Sequence, residues 1–290
     1  MAILVTGGTG KTGRPIVRLL HQGGHSVYVA SRSGKAPKFT KGVHFDWADT
    51  TTFEAPFIAA AAAKETITAV YLICPFLPDP SAIAQTVNAF VDLAISKGAQ
   101  RFVLLSASAI EKGEAGLGQQ GFVQEYLDTI GADYVSLRPT YFMDNFIDSF
   151  DFPNVMVKTH NTIYSAAQDA RIPFVAAEDI AKAAVEALTA EKVVHKDLFV
   201  GGPELLTFDN MAATLTEVLG RPITHTKNTP EEQTAVLIKL GLPEGPARYL
   251  SAMDARFAMG EEERRFQAEN KWMGTQTFKS FLQSHHERKV

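Results

Sequence analysis

Ala2-Ile3-Leu4-Val5-Thr6 is a short apolar run that passes without a break into Gly7-Gly8-Thr9-Gly10-Lys11-Thr12-Gly13. An amphipathic stretch starts at once, at Arg14. A buried strand, a glycine-rich turn and the start of a helix together make an anion site. The helix offers unpaired backbone N–H groups and the positive end of its dipole. The glycines let a pyrophosphate approach the backbone and let the helix pack on the strand. The chain therefore reads as opening with a dinucleotide-binding βα unit, against the plainer alternative of an ordinary glycine-rich turn. A P-loop is excluded, because its first glycine falls on Val5. Gly7, Thr9, Gly10, Lys11, Thr12 and Gly13 are the expected phosphate contacts.

The second strand bears on which dinucleotide is held. Residues 25–30 are apolar and β-branched, and they end at Ser31-Arg32-Ser33-Gly34-Lys35. A carboxylate here bonds the ribose 2′-hydroxyl of NAD and repels a 2′-phosphate. No acid is present. Ser31, Arg32 and Lys35 offer a hydroxyl and two cations, so the expected cofactor is NADP(H). The plain reading of Arg32 and Lys35 is a pair of solvated loop charges.

Strand and helix patterns alternate as far as residue 188. Strands are expected at 2–5, 26–30, 42–45, 69–73, 101–105 and 133–137, and helices at 12–22, 51–63, 80–97 and 119–131. Such alternation predicts an α/β fold, a Rossmann-like parallel sheet with helices on both faces. A smaller C-terminal substrate lobe is expected over the nucleotide. The NADP-binding domain is drawn at residues 1–150, completed by 172–202, and the substrate lobe at 151–171 and 203–290. Beyond residue 146 the pattern loosens. A helix opened by Glu178 and Asp179, a strand near 197–200, helices at 210–219, 230–240 and 244–259, and a charged, frayed end are the expected elements. Gly220 is the expected C-cap of the first of these three helices.

Ligands bind beyond the carboxyl ends of such strands, so the strand exits carry the candidates. Asp46 and Trp47 follow the third strand and bracket the adenine, with core packing as the alternative for Trp47. Cys74, Pro75 and Phe76 follow the fourth and line the nicotinamide pocket. Ser106 ends the fifth and touches nicotinamide or substrate, or else caps a turn. Tyr141, Phe142, Met143 and Phe146 follow the sixth and are expected to line the substrate cleft. Nothing near Cys74 in the sequence activates its thiol.

With 290 residues, 46% hydrophobic and 21% charged, the chain has an ordinary globular composition. Net charge is -4 without a basic run, which disfavours nucleic acid. One cysteine allows no intrachain disulfide and fits a reducing, cytoplasmic location. The histidines show no ligand spacing, so no metal is expected. No membrane segment or signal peptide is read, and the oligomeric expectation is a monomer or homodimer.

Arg101–Ser108, Glu125-Tyr126-Leu127-Asp128 and Leu137–Phe146 resemble the NmrA-like atypical short-chain dehydrogenases. Pro173-Phe174-Val175, Glu178–Ala181 and Gly202–Thr207 extend the match to about Gly220. The Gly7-x-x-Gly10-x-x-Gly13 spacing is the one found in extended short-chain dehydrogenases. Within the group the chain is most similar to the fungal festuclavine/agroclavine dehydrogenases of ergot alkaloid biosynthesis. The residues are Gly10-Lys11-Thr12, Ser31-Arg32-Ser33, Phe45-Asp46-Trp47, and Ser106-Ala107-Ser108 with Glu111-Lys112-Gly113. The resemblance implies an NADP(H) Rossmann domain and an alkaloid-like small-molecule substrate of secondary metabolism. It also implies reduction of a carbon–nitrogen double bond, in an iminium formed by cyclisation of chanoclavine-I aldehyde. The family includes redox sensors that bind NADP and do not turn over.

The usual proton relay is missing. The family's general pattern Tyr-x-x-x-Lys fails at Tyr126, which is followed at that spacing by Ile130. At the same spacing Arg32 follows Tyr28 and Arg138 follows Tyr134. The lysine that many NmrA-like reductases carry four residues before the helix glutamate is Gly121 here. An iminium needs no proton, because hydride addition neutralises its charge and leaves no alkoxide. Aromatic faces at the strand exits suit a cationic indole. The expectation is an NADPH-dependent imine or iminium reductase with Tyr126 and Ser106 as catalytic candidates. The alternatives are a non-catalytic NADP(H)-binding regulator, or an enzyme that acts on a quinone or enone or promotes cyclisation.

Overall fold

The computed structural model describes residues 2–75, 77, 79–116, 118–148 and 151–287. Its strands are β1 (Ala2–Thr6), β2 (Ser26–Ser31), β3 (Lys41–His44), β4 (Ile67–Ile73), β5 (Arg101–Leu105), β6 (Asp133–Pro139), β7 (Thr162–Ser165), β8 (Asp197–Gly201), β9 (Thr224–Lys227) and β10 (Lys271–Met273). The first six helices are α1 (Gly13–Gln22), α2 (Ala55–Ala62), α3 (Ile83–Ser96), α4 (Gln120–Thr129), α5 (Phe152–His160) and α6 (Ala177–Thr189). Then follow α7 (Phe208–Leu219), α8 (Pro230–Lys239), α9 (Glu244–Phe257), α10 (Glu261–Phe266) and α11 (Phe278–Glu287).

Eight strands form a parallel sheet in the order β10-β8-β6-β5-β4-β1-β2-β3, and β7 pairs with β9 separately. The order 3-2-1-4-5-6 is that of dinucleotide-binding sheets, with its reversal between β1 and β4. Two compact units emerge: Met1–Arg138 with Ile180–Leu198, and Pro139–Asp179 with Phe199–Val290.

In the first unit, side-chain alternation sorts the sheet residues onto two faces. Leu4, Tyr28, Val70, Leu72, Phe102 and Leu104 join Val87, Phe90, Val123 and Leu127 from α3 and α4 in one core. Val29 lies close to Val17 of α1, on the other face. Ile16, Val17 and Leu20 are fully buried and carry α1 onto that face. Each such side chain contributes about 1.5–3 kcal/mol through burial.

At the reversal the two strands part after Val5 and Tyr71, the last pair in register. The Thr6 hydroxyl fills the gap. It donates to the Tyr71 carbonyl at 2.8 Å and accepts from the Ile73 N–H at 3.0 Å. A side chain thus satisfies backbone groups that the ladder leaves behind.

The loop after β5 is held by a buried cation. Arg138, on β6, donates to both Glu111 carboxylate oxygens at 2.6 and 3.0 Å and to Asp197 at 3.0 Å. It also donates to the Ser108 carbonyl at 2.7 Å and, more weakly, to that of Ala107 at 3.4 Å. Despite burial, these acids keep the guanidinium pKa above its ordinary value.

In the second unit, Met143, Phe146, Phe174, Phe208, Phe257, Phe278 and Phe281 share one core. Asp179 is fully buried and accepts from the Thr275 and Gln276 N–H groups at 3.0 and 3.1 Å. Gly220 adopts the left-handed cap expected of it, with φ 67°. Three short strands (β7, β9, β10) and the helices α5 and α10 are additions to the sequence expectation. Exposed β9, Thr-His-Thr-Lys, has no apolar alternation to announce it.

Arg138→Met removes the clamp and leaves two carboxylates and two carbonyls without their shared donor. We expect a loss of about 2–4 kcal/mol in urea unfolding. Protease cleavage should begin in the 107–116 loop.

Candidate functional site

The turn between β1 and α1 is shaped by absent side chains. A Cβ on Gly13 would lie 2.2 Å from the Gly7 carbonyl oxygen and 2.6 Å from the Gly8 Cα. One on Gly8 would lie 2.8 Å from Val29. Gly7 has φ +62°, a conformation that favours glycine. The Gly10 N–H donates to the Gly7 carbonyl at 2.8 Å and closes the turn. The Arg14 guanidinium donates to the Thr9 carbonyl at 2.6 Å. The Thr12 hydroxyl accepts from the buried Tyr71 hydroxyl at 3.0 Å and makes no side-chain cap. Thr12 therefore caps none of the first N–H groups of α1, of which that of Arg14 donates to the Gly10 carbonyl at 3.1 Å. Thr9 and Gly10 are exposed and Lys11 is half-buried, which leaves the turn open to an anion.

Beyond β2, the Ser31 hydroxyl is spent inside the loop, donating to the Lys35 carbonyl at 3.0 Å. Ser31 therefore shapes the loop. Arg32 and Lys35 are exposed and form no ion pair among the described residues. His44, at the end of β3, bonds the Arg32 carbonyl through Nδ1 at 2.8 Å. Asp46 accepts from the Ala48 N–H at 3.0 Å in its own turn. Trp47 is half-buried, edge-on to Phe45, Phe53 and Phe90 at ring separations of 4.9, 5.6 and 5.2 Å. One side of the indole thus belongs to the core.

Cys74 is buried, which pushes its thiol up to about 12 and makes it a poor nucleophile. Pro75 is half-buried, and Phe76 lies outside the described residues. The buried Ser106 hydroxyl, just beyond β5, has no hydrogen-bond partner among the described residues. A buried hydroxyl at a strand's carboxyl end is able to bond a ligand's polar group. Together with the glycine cradle it fits a dinucleotide.

Tyr126 stands elsewhere. It sits in the second turn of α4, and its hydroxyl donates to the Asp92 carboxylate on α3. That bond, with burial behind it, pushes the phenol up to about 12. The structure thus engages the Tyr126 proton with Asp92.

Position 121 is closed. A Cβ on Gly121 would lie 2.2 Å from the Glu111 carbonyl oxygen and 2.3 Å from that of Glu114. The Gly113 N–H donates to the Gly121 carbonyl at 2.9 Å and seats the turn there. The Arg138 clamp fixes that same turn. No lysine fits at this position.

The aromatic group after β6 divides in two. Met143 and Phe146 are 1% and 3% exposed and pack in the core. Tyr141 and Phe142 keep exposed surface. Parallel pairing with Val175 holds them in place: Val175 N–H donates to the Tyr141 carbonyl at 3.0 Å and Met143 N–H to the Val175 carbonyl at 2.9 Å.

Two groups escaped the sequence reading. Asp254, on α9, has its carboxyl pushed up to about 7 by burial, against a weak bond from the Ala166 N–H at 3.3 Å. Nothing in the sequence marks it, because its surroundings come from distant segments. Ser165, His225 and Asp209 form a hydrogen-bonded chain, with Ser165 to His225 Nε2 and His225 Nδ1 to Asp209 both at 2.9 Å. Ser165 is 1% exposed and the His225 side chain 0%, so the chain ties β7, β9 and α7 and admits no substrate. Among the described residues no group of three or more metal-type ligands occurs, and no helix is long and apolar enough to cross a membrane.

Comparison with known proteins agrees with this geometry. The model of the NmrA-like family matches residues 1–281. Agroclavine dehydrogenase of Claviceps fusiformis is 40% identical over 265 residues, 91% of this chain and 89% of that protein. Festuclavine synthase II of Penicillium roqueforti is 40% identical over 266 residues, 91% and 90% of the two. The crystal structure of an NADPH-dependent quinone oxidoreductase from Escherichia coli, complexed with NADPH, superposes with a TM-score of 0.75. It is 19% identical and covers 98% of this chain and 99% of that one.

Asp254 makes a prediction about pH. Its folded value lies above the ordinary 3.8, so the folded state keeps a proton that the unfolded chain releases. Stability from this group is present below about 4 and is lost as pH rises to about 7. Asp254→Asn should therefore stabilise the protein at pH 8 relative to pH 5 by about 2 kcal/mol, read as a higher Tm at pH 8.

Proposed function

This chain belongs to the NmrA-like family, and we propose that it is an NADPH-dependent oxidoreductase that reduces a cyclic imine or iminium. The substrate class is an indole-derived alkaloid of secondary metabolism. Agroclavine dehydrogenase and festuclavine synthase, both 40% identical to this chain, carry alkaloid names.

The reading rests above all on the closed position at Gly121. The Glu111 and Glu114 carbonyls occupy the space from which a lysine could deliver a proton. Tyr126 is spent on Asp92, and the Cys74 thiol holds its proton to about 12. A ketone would leave an alkoxide that needs a proton. An iminium would not, since hydride addition removes its charge.

The residues divide the work. Gly7, Gly10 and Gly13 admit the pyrophosphate to the N-terminus of α1. Arg32 and Lys35 pair with the 2′-phosphate, and Trp47 borders the adenine with the side the core leaves free. The Ser106 hydroxyl gains from the carboxamide end of the nicotinamide the partner that it lacks among the described residues. Tyr141 and Phe142 present ring surface to the substrate. NADPH, when bound, supplies the hydride.

Two experiments test this reading. Incubation with NADPH and a panel of cyclic indole iminium salts should consume NADPH, and C4-deuterated NADPH should label the reduced carbon. No consumption above background across the panel overturns the proposal. NADP binding without turnover, plus a protein captured with it, would establish a redox-sensing regulator instead. Arg32→Asp should weaken NADPH binding by about tenfold or more while sparing NADH, as expected for loss of one charge pair and gain of a repulsion. Tyr126→Phe should leave kcat within about twofold, because its hydroxyl serves Asp92.

A further inference from the structure

We infer that Asp254 is the counter-ion for a cationic nitrogen of the substrate, held beside the ring of Tyr141 within the second unit. The identity of that cation as substrate rests on the reductase reading; the charge selectivity of the site does not.

Asp254 stands out by what it lacks. Its carboxylate accepts one hydrogen bond among the described residues, at 3.3 Å from the Ala166 N–H to Oδ2, and pairs with no lysine or arginine. A buried carboxylate without a cation is costly and is ordinarily replaced or paired. Burial desolvates the carboxyl, and the residue as a whole is half-buried rather than sealed in the core.

Its surroundings specify the ligand. Tyr141 lies close enough to feel the charge: burial, Asp254 and then Asp151 raise its hydroxyl, against a bond from Asn145. The Tyr141 ring is walled by Phe174 and Phe208 at 5.5 Å, and by Phe257 at 6.3 Å. A carboxylate with a free oxygen beside an electron-rich ring suits an organic cation, through an ion pair and a cation–π contact. A metal ion would need more ligands, and no group of three metal-type ligands occurs among the described residues. A neutral hydroxyl would leave the charge uncompensated. An ammonium or iminium on a flat apolar skeleton satisfies both the charge and the aromatic wall.

The test uses the full-length protein saturated with NADP+. Calorimetric titration compares an N-methyl dihydro-β-carbolinium salt with the uncharged lactam of the same tricycle. The wild type should bind the cation at least tenfold more tightly than the lactam. Asp254→Asn should bind the two alike, and Asp254→Glu should keep part of the preference. Cofactor affinity should be unchanged in both variants and the Asp254→Asn Tm no lower than wild type, which separates the role from a folding defect. Retained cation preference in Asp254→Asn, or no preference in the wild type, overturns the inference. An unchanged KM for an iminium in Asp254→Asn overturns the anchor and leaves the reductase standing. Charge-selective binding by a wild type that turns over no iminium overturns the reductase and leaves the anchor.

Discussion

Everything in the first unit depends on the contact between Gly13 and the Gly7–Gly8 backbone. No atom can be added there: the nearest carbonyl oxygen would be 2.2 Å from a Cβ on Gly13. That closeness presses the start of α1 against the exit of β1. It also aims the helix N-terminus at the opening between β1 and β4, where the strand order reverses. The Thr6 hydroxyl and the Tyr71–Thr12 bond then tie the diverging strands and the turn together from beneath. A cradle built of backbone needs this kind of support, because it has no side chains with which to hold itself in shape.

This part of the molecule was legible in the sequence for a simple reason. Buried parallel strands are short runs of apolar residues, and the glycine spacing is local. The same holds for Arg32 and Lys35, which follow a strand directly. Legibility ended where the fold joins distant residues. Gly121 reads as a missing lysine in the sequence, whereas the structure shows a position filled by the Glu111 and Glu114 carbonyls. Tyr126 reads as a catalytic candidate until Asp92 is found against it. Met143 and Phe146 sit in a strand-exit segment as expected but turn inward to Phe174, Phe208 and Phe278. Asp254 carries no local signal at all, since its neighbours Ala166 and Tyr141 lie far from α9 in the sequence.

The Arg138 clamp links these observations. Arg138 is buried and fully engaged, with Glu111 and Asp197 as its counter-charges. Its bonds to the Ala107 and Ser108 carbonyls fix the loop that follows Ser106, and Glu111 carries the same loop onto Gly121. One buried cation thus fixes the loop after Ser106 and, through Glu111, the turn that leaves no room for a side chain at Gly121. The clamp on the loop and the closed position 121 are parts of one structural arrangement.

That arrangement makes sense for a substrate that brings its own charge. The difficulty in binding an iminium is desolvating a cation, not delivering a proton. A lone carboxylate with a raised pKa beside an aromatic wall meets that difficulty at the cost of fold stability, and burial of Asp254 without a partner is such a cost. Evolution for stability alone would neutralise or pair the group, as it has done for Arg138. Arg138 and Asp254 therefore contrast: the first is buried with four side-chain and backbone partners and holds the scaffold, whereas the second is half-buried with one weak bond and is, as we infer, the place for a ligand's cation.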